Sequence, residues 1–312
     1  MSRFAWLWLI LAFSLELPTR TANAEENFTV VQTVRSNQLR LFAPVSVNNS
    51  KNMWFLVDTG SPKSLISPGV RHALELPSTG SEEATSMVGN QKLPIVYAQA
   101  VKAMDTDLGS GYFLETPIAF ARERTREARI AFDKEGLLGM NFLLQHGAVI
   151  NCRTQQIFFS RTGPRLSLRG EYYQRMGFTQ IPIRITPTGY AEVEGTTAGS
   201  TYSFIIDTGS FWTILNPKIA EEEHIITFRR GMMSLPYGGE RNVPFLMGRP
   251  NNLKLASLDL SGSTLGFSPT HTPNGIAHEW GGLIGADLLF KRHAIIDLGN
   301  RALYLMADSK RQ

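Results

Sequence analysis

Residues 55–68 read FLVDTGSPKSLISP, and residues 204–217 read FIIDTGSFWTILNP. Six of these 14 positions are identical (Phe, Asp, Thr, Gly, Ser and the closing Pro), and most of the others exchange like for like. A second pair lies downstream: GLLGMNFLLQHGAVINCRTQQIFFS at 136–160 and GLIGADLLFKRHAIIDLGNRALYLM at 282–306. These align Gly136 with Gly282, Gly139 with Gly285, Leu143 with Leu289 and Ile150 with Ile296. Asp58 precedes Gly139 by 81 residues, and Asp207 precedes Gly285 by 78. Two motifs kept in one order at nearly one spacing mean a duplicated domain, and such a repeat governs the reading of the whole chain.

The units are built of strands. Residues 54–57, 203–206, 148–150 and 294–296 are short, apolar and rich in branched or aromatic side chains, and Gly, Asn, Asp or Pro bounds them. Hairpins are expected before each DTGS, at 39–47 and 180–194. Helix is expected only at 68–76, at 217–224 and in single turns after Gly139 and Gly285. The stretch 161–177 is charged, contains Gly163, Pro164 and Gly170, and reads as the linker between the copies. The expected fold class is all-β, with two lobes related by a pseudo-two-fold axis and a few short helices.

Length and composition agree with two cores. At roughly 100–200 residues per domain, 312 residues make two units. Lys+Arg 31 against Asp+Glu 27 gives a net charge of +4 without a long single-sign block, which is an ordinary solvated surface. One cysteine cannot close a disulfide within the chain. The N-terminus reads as an address: Arg3, an apolar run at 4–15, then Glu16, Pro18 and the small-residue triplet Ala22-Asn23-Ala24. Twelve apolar residues fall short of the roughly 20 needed to cross a bilayer, so cleavage is expected, with retention as an anchor the alternative. The expected organisation is a signal peptide at 1–24, lobe 1 at 25–160, the linker at 161–177 and lobe 2 at 178–312. The mature product is expected to be exported, in a periplasm or secreted, and not stably inserted in the membrane.

One DTGS is a strand ending in a hydrated carboxylate. In each copy the Gly gives the turn backbone freedom and bares amides near the carboxylate, while Thr and Ser hydroxyls stand ready as hydrogen-bond partners. Two copies can be brought face to face by the pseudo-two-fold axis. Carboxyls about 3 Å apart cannot both ionise, so they share a proton. One can then act as base toward a water between them while the other, as acid, polarises a peptide carbonyl.

This constellation resembles the aspartic peptidases of the retropepsin and pepsin clan. The resemblance covers roughly residues 36–160 and 178–308. It implies that Asp58 and Asp207 are catalytic, and that Thr59, Gly60, Ser61, Thr208, Gly209 and Ser210 support the dyad. It implies that Leu137-Leu138-Gly139 and Leu283-Ile284-Gly285 thread behind the Asp loops, where a side chain would clash, and that Thr59 and Thr208 cross-link those loops. Asp58 and Asp207 are 149 positions apart, which makes lobes smaller than those usual in pepsins. Each half is more similar to a retropepsin subunit, as in bacterial single-chain proteins with two fused retropepsin-like domains. That likeness implies a monomer that is an internal pseudo-dimer, with a flap over the substrate. Tyr237-Gly238-Gly239 has the look of a flap tip, and residues 86–90 are the corresponding stretch of the first half. Ser61 and Ser210 stand where retroviral subunits carry Ala. Their hydroxyls are expected to donate to the aspartates, lowering both pKa values and moving the working window toward acid.

Other residue types offer less. His72, His146, His224, His271, His278 and His293 form no recognised ligand spacing, so no metal or other cofactor is expected. Cys152 reads as a small buried hydrophobe. Neither a phosphate loop nor basic residues interleaved with aromatics appear, so nucleic acid is not an expected partner. Phe211 and Trp212 fit either a subsite wall or the core. The expected function is an aspartic endopeptidase acting on peptide or protein substrates; the alternative is a peptide-binding or regulatory protein that keeps the fold and cleaves little.

Overall fold

The structure, a computed structural model, describes residues 28–86, 89–118, 135–161, 169–197, 199–235, 241–270 and 272–307. Each half contributes one ten-stranded sheet, and the two halves together form a third, six-stranded sheet. Both large sheets have the same connectivity. Strand Met53–Val57 pairs in parallel with Gly136–Leu138, which pairs antiparallel with Ser64–Ile66. Strand Ser200–Ile206 likewise pairs in parallel with Glu279–Ile284, which pairs antiparallel with Ile214–Leu215. A returning strand is thus inserted between the two strands that flank each DTGS. That insertion holds the loop from both sides.

The six-stranded sheet runs Phe28–Gln32, Gln156–Ser160, Val149–Asn151, Ile295–Asp297, Ala302–Met306 and Phe178–Pro182. Its centre is the antiparallel pair Val149–Asn151 and Ile295–Asp297, in which Ile150 faces Ile296. These are the residues that the duplication aligns with each other, so the pseudo-two-fold axis passes between them. A buried cluster spans both lobes, with Phe55, Phe113 and Phe142 in one and Tyr202 and Phe204 in the other. Rings of Phe55 and Phe113 meet at 6.1 Å, and those of Phe113 and Phe142 at 5.4 Å. Burying such a side chain stabilises the fold by about 1.5–3 kcal/mol, which lets each lobe hold its loops without a disulfide.

Several elements differ from the sequence reading. The region 39–47 is not itself a hairpin: Leu41–Val47 pairs back with Val34–Arg35 and forward with Met53–Val57. The turn falls earlier because Leu39 takes a left-handed conformation, φ 59°. In the second lobe Arg184–Ile185 does pair with Ala191–Thr197 inside 180–194. The helices are Pro68–Ala73 and Pro217–Glu222, begun by Ser67 and Asn216 caps with Pro in the first turn. They stop short of 76 and 224 where Glu75 and His224 turn left-handed, φ 50° and 52°. The stretch read as linker contains the helix Arg169–Arg175. Tyr173 anchors it, with its ring 5.0 Å from Tyr304 and 5.9 Å from Phe178. Among the described residues, no helix is long and apolar enough to cross a membrane.

Candidate active site

Each strand delivers its aspartate to the same place. Asp58 N–H donates to Leu138 O at 3.0 Å, and Asp207 N–H to Ile284 O at 2.9 Å, so the inserted strand fixes where each aspartate leaves the sheet. The inserted strands end in Gly139 and Gly285. A Cβ on Gly139 would lie 2.5 Å from Lys63 O and 2.8 Å from Ser61 O, and one on Gly285 would lie 2.3 Å from Trp212 O. Both glycines therefore sit against the backbone that follows DTGS, at a distance no side chain tolerates. Short helices Met140–Gln145 and Ala286–Lys291 start there. Their first amides complete the loops: Met140 N–H donates to Ser61 O at 2.9 Å, and Ala286 N–H to Ser210 O at 2.8 Å.

The loops are locked to each other by two buried threonines. Thr59 Oγ1 donates to Ile206 O at 2.7 Å and accepts from Thr208 N–H at 3.1 Å. Thr208 Oγ1 donates to Val57 O at 2.8 Å and accepts from Thr59 N–H at 3.0 Å. Each hydroxyl thus serves a carbonyl and an amide of the opposite lobe. Thr59→Val keeps the shape but strands a buried donor and a buried acceptor. We expect it to destabilise the fold by at least about 1–3 kcal/mol, with Thr59→Ser recovering most of the loss in a denaturant titration.

The carboxyls meet across this lock. Asp58 is buried, and each carboxyl lies against the glycine of the opposite loop, close enough for the Asp58 charge to act on Asp207. Gly60 N–H donates to Asp58 Oδ1 at 2.8 Å; Gly209 and Ser210 N–H donate to Asp207 Oδ1 at 2.9 and 2.8 Å. Gly60 and Gly209 do not adopt positive φ. Their requirement is close approach: a Cβ on Gly60 would lie 2.3 Å from Asp207 Cγ, and one on Gly209 would lie 2.4 Å from Asp58 Cγ. Burial, then the negative field of Asp58, pushes the Asp207 carboxyl well above the usual carboxylate range, against the lowering effect of the Ser210 amide. The pair therefore keeps one proton across a pH range in which an ordinary carboxylate has lost it.

The serine hydroxyls do not reach the dyad, which corrects the expectation drawn from them. Ser61 Oγ donates to Lys63 O at 2.7 Å and Ser210 Oγ to Trp212 O at 2.9 Å, so both close the turn instead. At Ser210 it is the backbone amide, not the hydroxyl, that serves a carboxylate. The proposed acid shift loses its cause, and Ser61→Ala with Ser210→Ala should leave the alkaline limb of a pH–rate profile in place.

Two residues beside the dyad escaped the sequence reading. Arg40 and Tyr190 occupy equivalent corners: Ser36 N–H donates to Arg40 O, and Thr186 N–H to Tyr190 O, each at 2.9 Å. The positive charge of Arg40 is felt at Asp207. Tyr190 is pushed up to about 12 by burial and by the fields of Asp207 and Asp58, so it stays protonated as a donor. Their signal was positional, since they precede Asp58 and Asp207 by 18 and 17 residues.

The remaining sequence-marked residues fall in several places. Tyr237, Gly238 and Gly239 lie outside the described residues, as do Met87, Val88 and His271. The hairpins leading to both tips are formed, Ser78–Ser86 with Gly89–Ala98 and Arg229–Leu235 with Arg241–Gly248. Trp212 packs into the second lobe, its ring 5.3 Å from Phe245 and 4.7 Å from Phe211. Cys152 is buried in the core, and its thiol is pushed up to about 12 by that burial. His278 Nε2 lies 3.1 Å from Glu194 Oε2. Among the described residues, no group of His, Cys, Asp and Glu is arranged to hold a metal ion.

Residues 43–142, which contain Asp58 and end just beyond Gly139, match the family described as aspartyl protease. No curated protein matches the chain. Among solved structures, an aspartic proteinase from Irpex lacteus is similar at 14% identity and a TM-score of 0.49, covering 90% of this chain and 98% of that one. The first lobe is thus similar to the aspartyl proteases across residues 43–142, and the DTGS and Gly motifs of that region recur in the second lobe.

Proposed function

We propose that the protein is an endopeptidase that hydrolyses peptide bonds with a water activated between Asp58 and Asp207. The observation that carries this reading is the close approach of the two carboxyls across the axis, each pressed against the other loop's glycine. In the singly protonated pair, the ionised carboxylate takes a proton from water as the water oxygen bonds to the carbonyl carbon. The protonated partner donates to the carbonyl oxygen, so neither an acyl-enzyme nor a metal ion is required. In the collapse, the carboxyl that took the water proton gives it to the leaving nitrogen, the C–N bond breaks, and a hydroxyl of the tetrahedral intermediate returns its proton to the other carboxylate, which releases amine and acid and restores the singly protonated pair. The threonine lock holds the carboxyl spacing through this cycle, which is the kind of preorganisation that lowers a barrier.

The raised Asp207 carboxyl sets the sign of the pH dependence. Activity needs one proton on the pair and is lost as pH rises through the higher apparent pKa of the dyad. Since burial lifts that value, the alkaline limb of kcat/KM should lie well above the ordinary carboxylate range of about 4. A limb at the ordinary value would show that burial does not govern the pair. Export through the 1–24 signal and monomeric action with both lobes in one chain belong to the same reading. Turnover of a quenched peptide library, abolished by a statine-type inhibitor, tests it. An intact library after prolonged incubation would leave a peptide-binding protein in its place.

A further inference from the structure

The two lobes are built alike, yet a corner beside the dyad is filled in one and open in the other. The strand pairings align Leu65 with Ile214, Ile95 with Met247, Leu93 with Phe245 and Glu82 with Gly231. Counting from the aspartates aligns Lys63 with Trp212. In the second lobe this corner is filled. The Phe245 ring covers Gly231, whose added Cβ would lie 2.2 Å from it, and Trp212 packs on Phe245. In the first lobe Leu93, Glu82 and Lys63 stand instead, and the corner is an open cavity of about 280 Å³.

The cavity begins at Ser61 and Pro62, directly beyond the Asp58 loop, and Tyr190 of the second lobe closes its far side. Leu65, Ala84, Leu93 and Leu114 give it an apolar floor. At its mouth Lys63 Nζ lies 3.5 Å from Glu82 Oε1, and both side chains are half exposed. The lining thus carries one carboxylate, Glu82, paired with one ammonium, Lys63, and the singly ionised dyad beside it adds a negative charge. An apolar floor with the Glu82 carboxylate at its mouth matches a long aliphatic stem that ends in a cation able to displace Lys63.

We propose that this cavity selects a lysine or arginine side chain of the substrate, with Glu82 as the residue that recognises its charge and Lys63 as the internal competitor for Glu82. The proposal rests on the endopeptidase reading, and it names the substrate class of that site: peptides with a basic residue at one fixed position from the scissile bond. Lys63 and Glu82 act on selectivity in opposite directions, which a merely structural pair cannot do.

The test uses the full mature protein and statine-core peptides carrying Lys, norleucine or Glu at each flanking position in turn. Binding is read by fluorescence anisotropy, and turnover is read separately on the matching cleavable peptides. At one position Lys should bind up to about fivefold better than norleucine, the scale of a partly exposed charge pair. Glu82→Gln should bring that ratio close to one, and Lys63→Met should raise it. Equal binding of Lys and norleucine at every position overturns the proposal, and so does a shift of the ratio in the same direction by both variants. A clear Lys preference in binding with no turnover of any peptide would uphold the cavity and overturn the endopeptidase reading instead.

Discussion

Asp58→Asn and Asp207→Asn should each lower turnover of a cleavable peptide by at least about 10²–10⁴-fold, the share expected of a positioned acid or base. An amide cannot accept the proton of the attacking water, and it cannot share one proton with its neighbour as two carboxyls do. Its oxygen can still accept from the Gly60 or Gly209 amide that now serves the carboxylate, so the loop geometry survives the change. The double variant should be little worse than either single one, because the pair acts as a unit. Stability should move the other way. The folded Asp207 carboxyl has a raised pKa, so it contributes stability below its unfolded value and loses it as pH climbs through the folded value. Above that value the fold carries two buried negative charges, and Asp207→Asn removes one. Its melting temperature should exceed that of the parent at alkaline pH, with the difference shrinking toward acid. Each kcal/mol regained is worth about 2–4 °C in a chain of this size. Near-normal turnover in either single variant would end the shared-dyad mechanism.

What the sequence made legible was whatever the duplication wrote twice in the same letters. Asp58 and Asp207, the threonines, and the glycines at 139 and 285 recur at matched spacing, and each of them is fixed by a contact that only its own residue type can make. A threonine hydroxyl must both donate and accept across the axis, and a glycine must let a carbonyl approach to a distance that excludes a Cβ. Where the copies diverge, the signal fades. Arg40 and Tyr190 share a corner of the fold but no chemistry, so nothing in the letters pairs them. The serine hydroxyls were misassigned because the turn after each aspartate offers two acceptors, and distance alone selects the carbonyl two residues on. Leu39 hid the first-lobe turn, since a leucine at positive φ breaks the rule by which turns are found. The helix Arg169–Arg175 sits in a segment whose charge reads as loop, because its one anchoring face is the single aromatic Tyr173.

Gly60→Ala and Gly209→Ala should be the most damaging of the single-methyl changes near the dyad. The added Cβ would stand 2.3–2.7 Å from three atoms of the Asp207 carboxyl in one case, and 2.4–2.6 Å from those of Asp58 in the other. Nonbonded carbon atoms rest at about 3.5–4.0 Å, so something must give by roughly 1 Å. The loop has little room to move. Its amides are held by the carboxylates, its threonine is locked into the opposite lobe, and its carbonyls are held by the helix that follows Gly139 or Gly285. The carboxyl must therefore shift or rotate, which separates it from its partner. A displacement of about 1 Å can cost about 10²-fold in rate, and the strain of overpacking adds roughly 1–3 kcal/mol of destabilisation. The pseudo-two-fold axis demands that both variants behave alike, although the residues flanking the two loops differ. Gly69→Ala is the control: it lies in the first turn of an exposed helix, and its added Cβ meets only Ser67 Oγ, at 3.9 Å. It should keep full turnover and lose no stability. Normal turnover in Gly60→Ala, measured beside its melting curve, would mean that the two carboxyls do not rest against the opposing loops when the protein works.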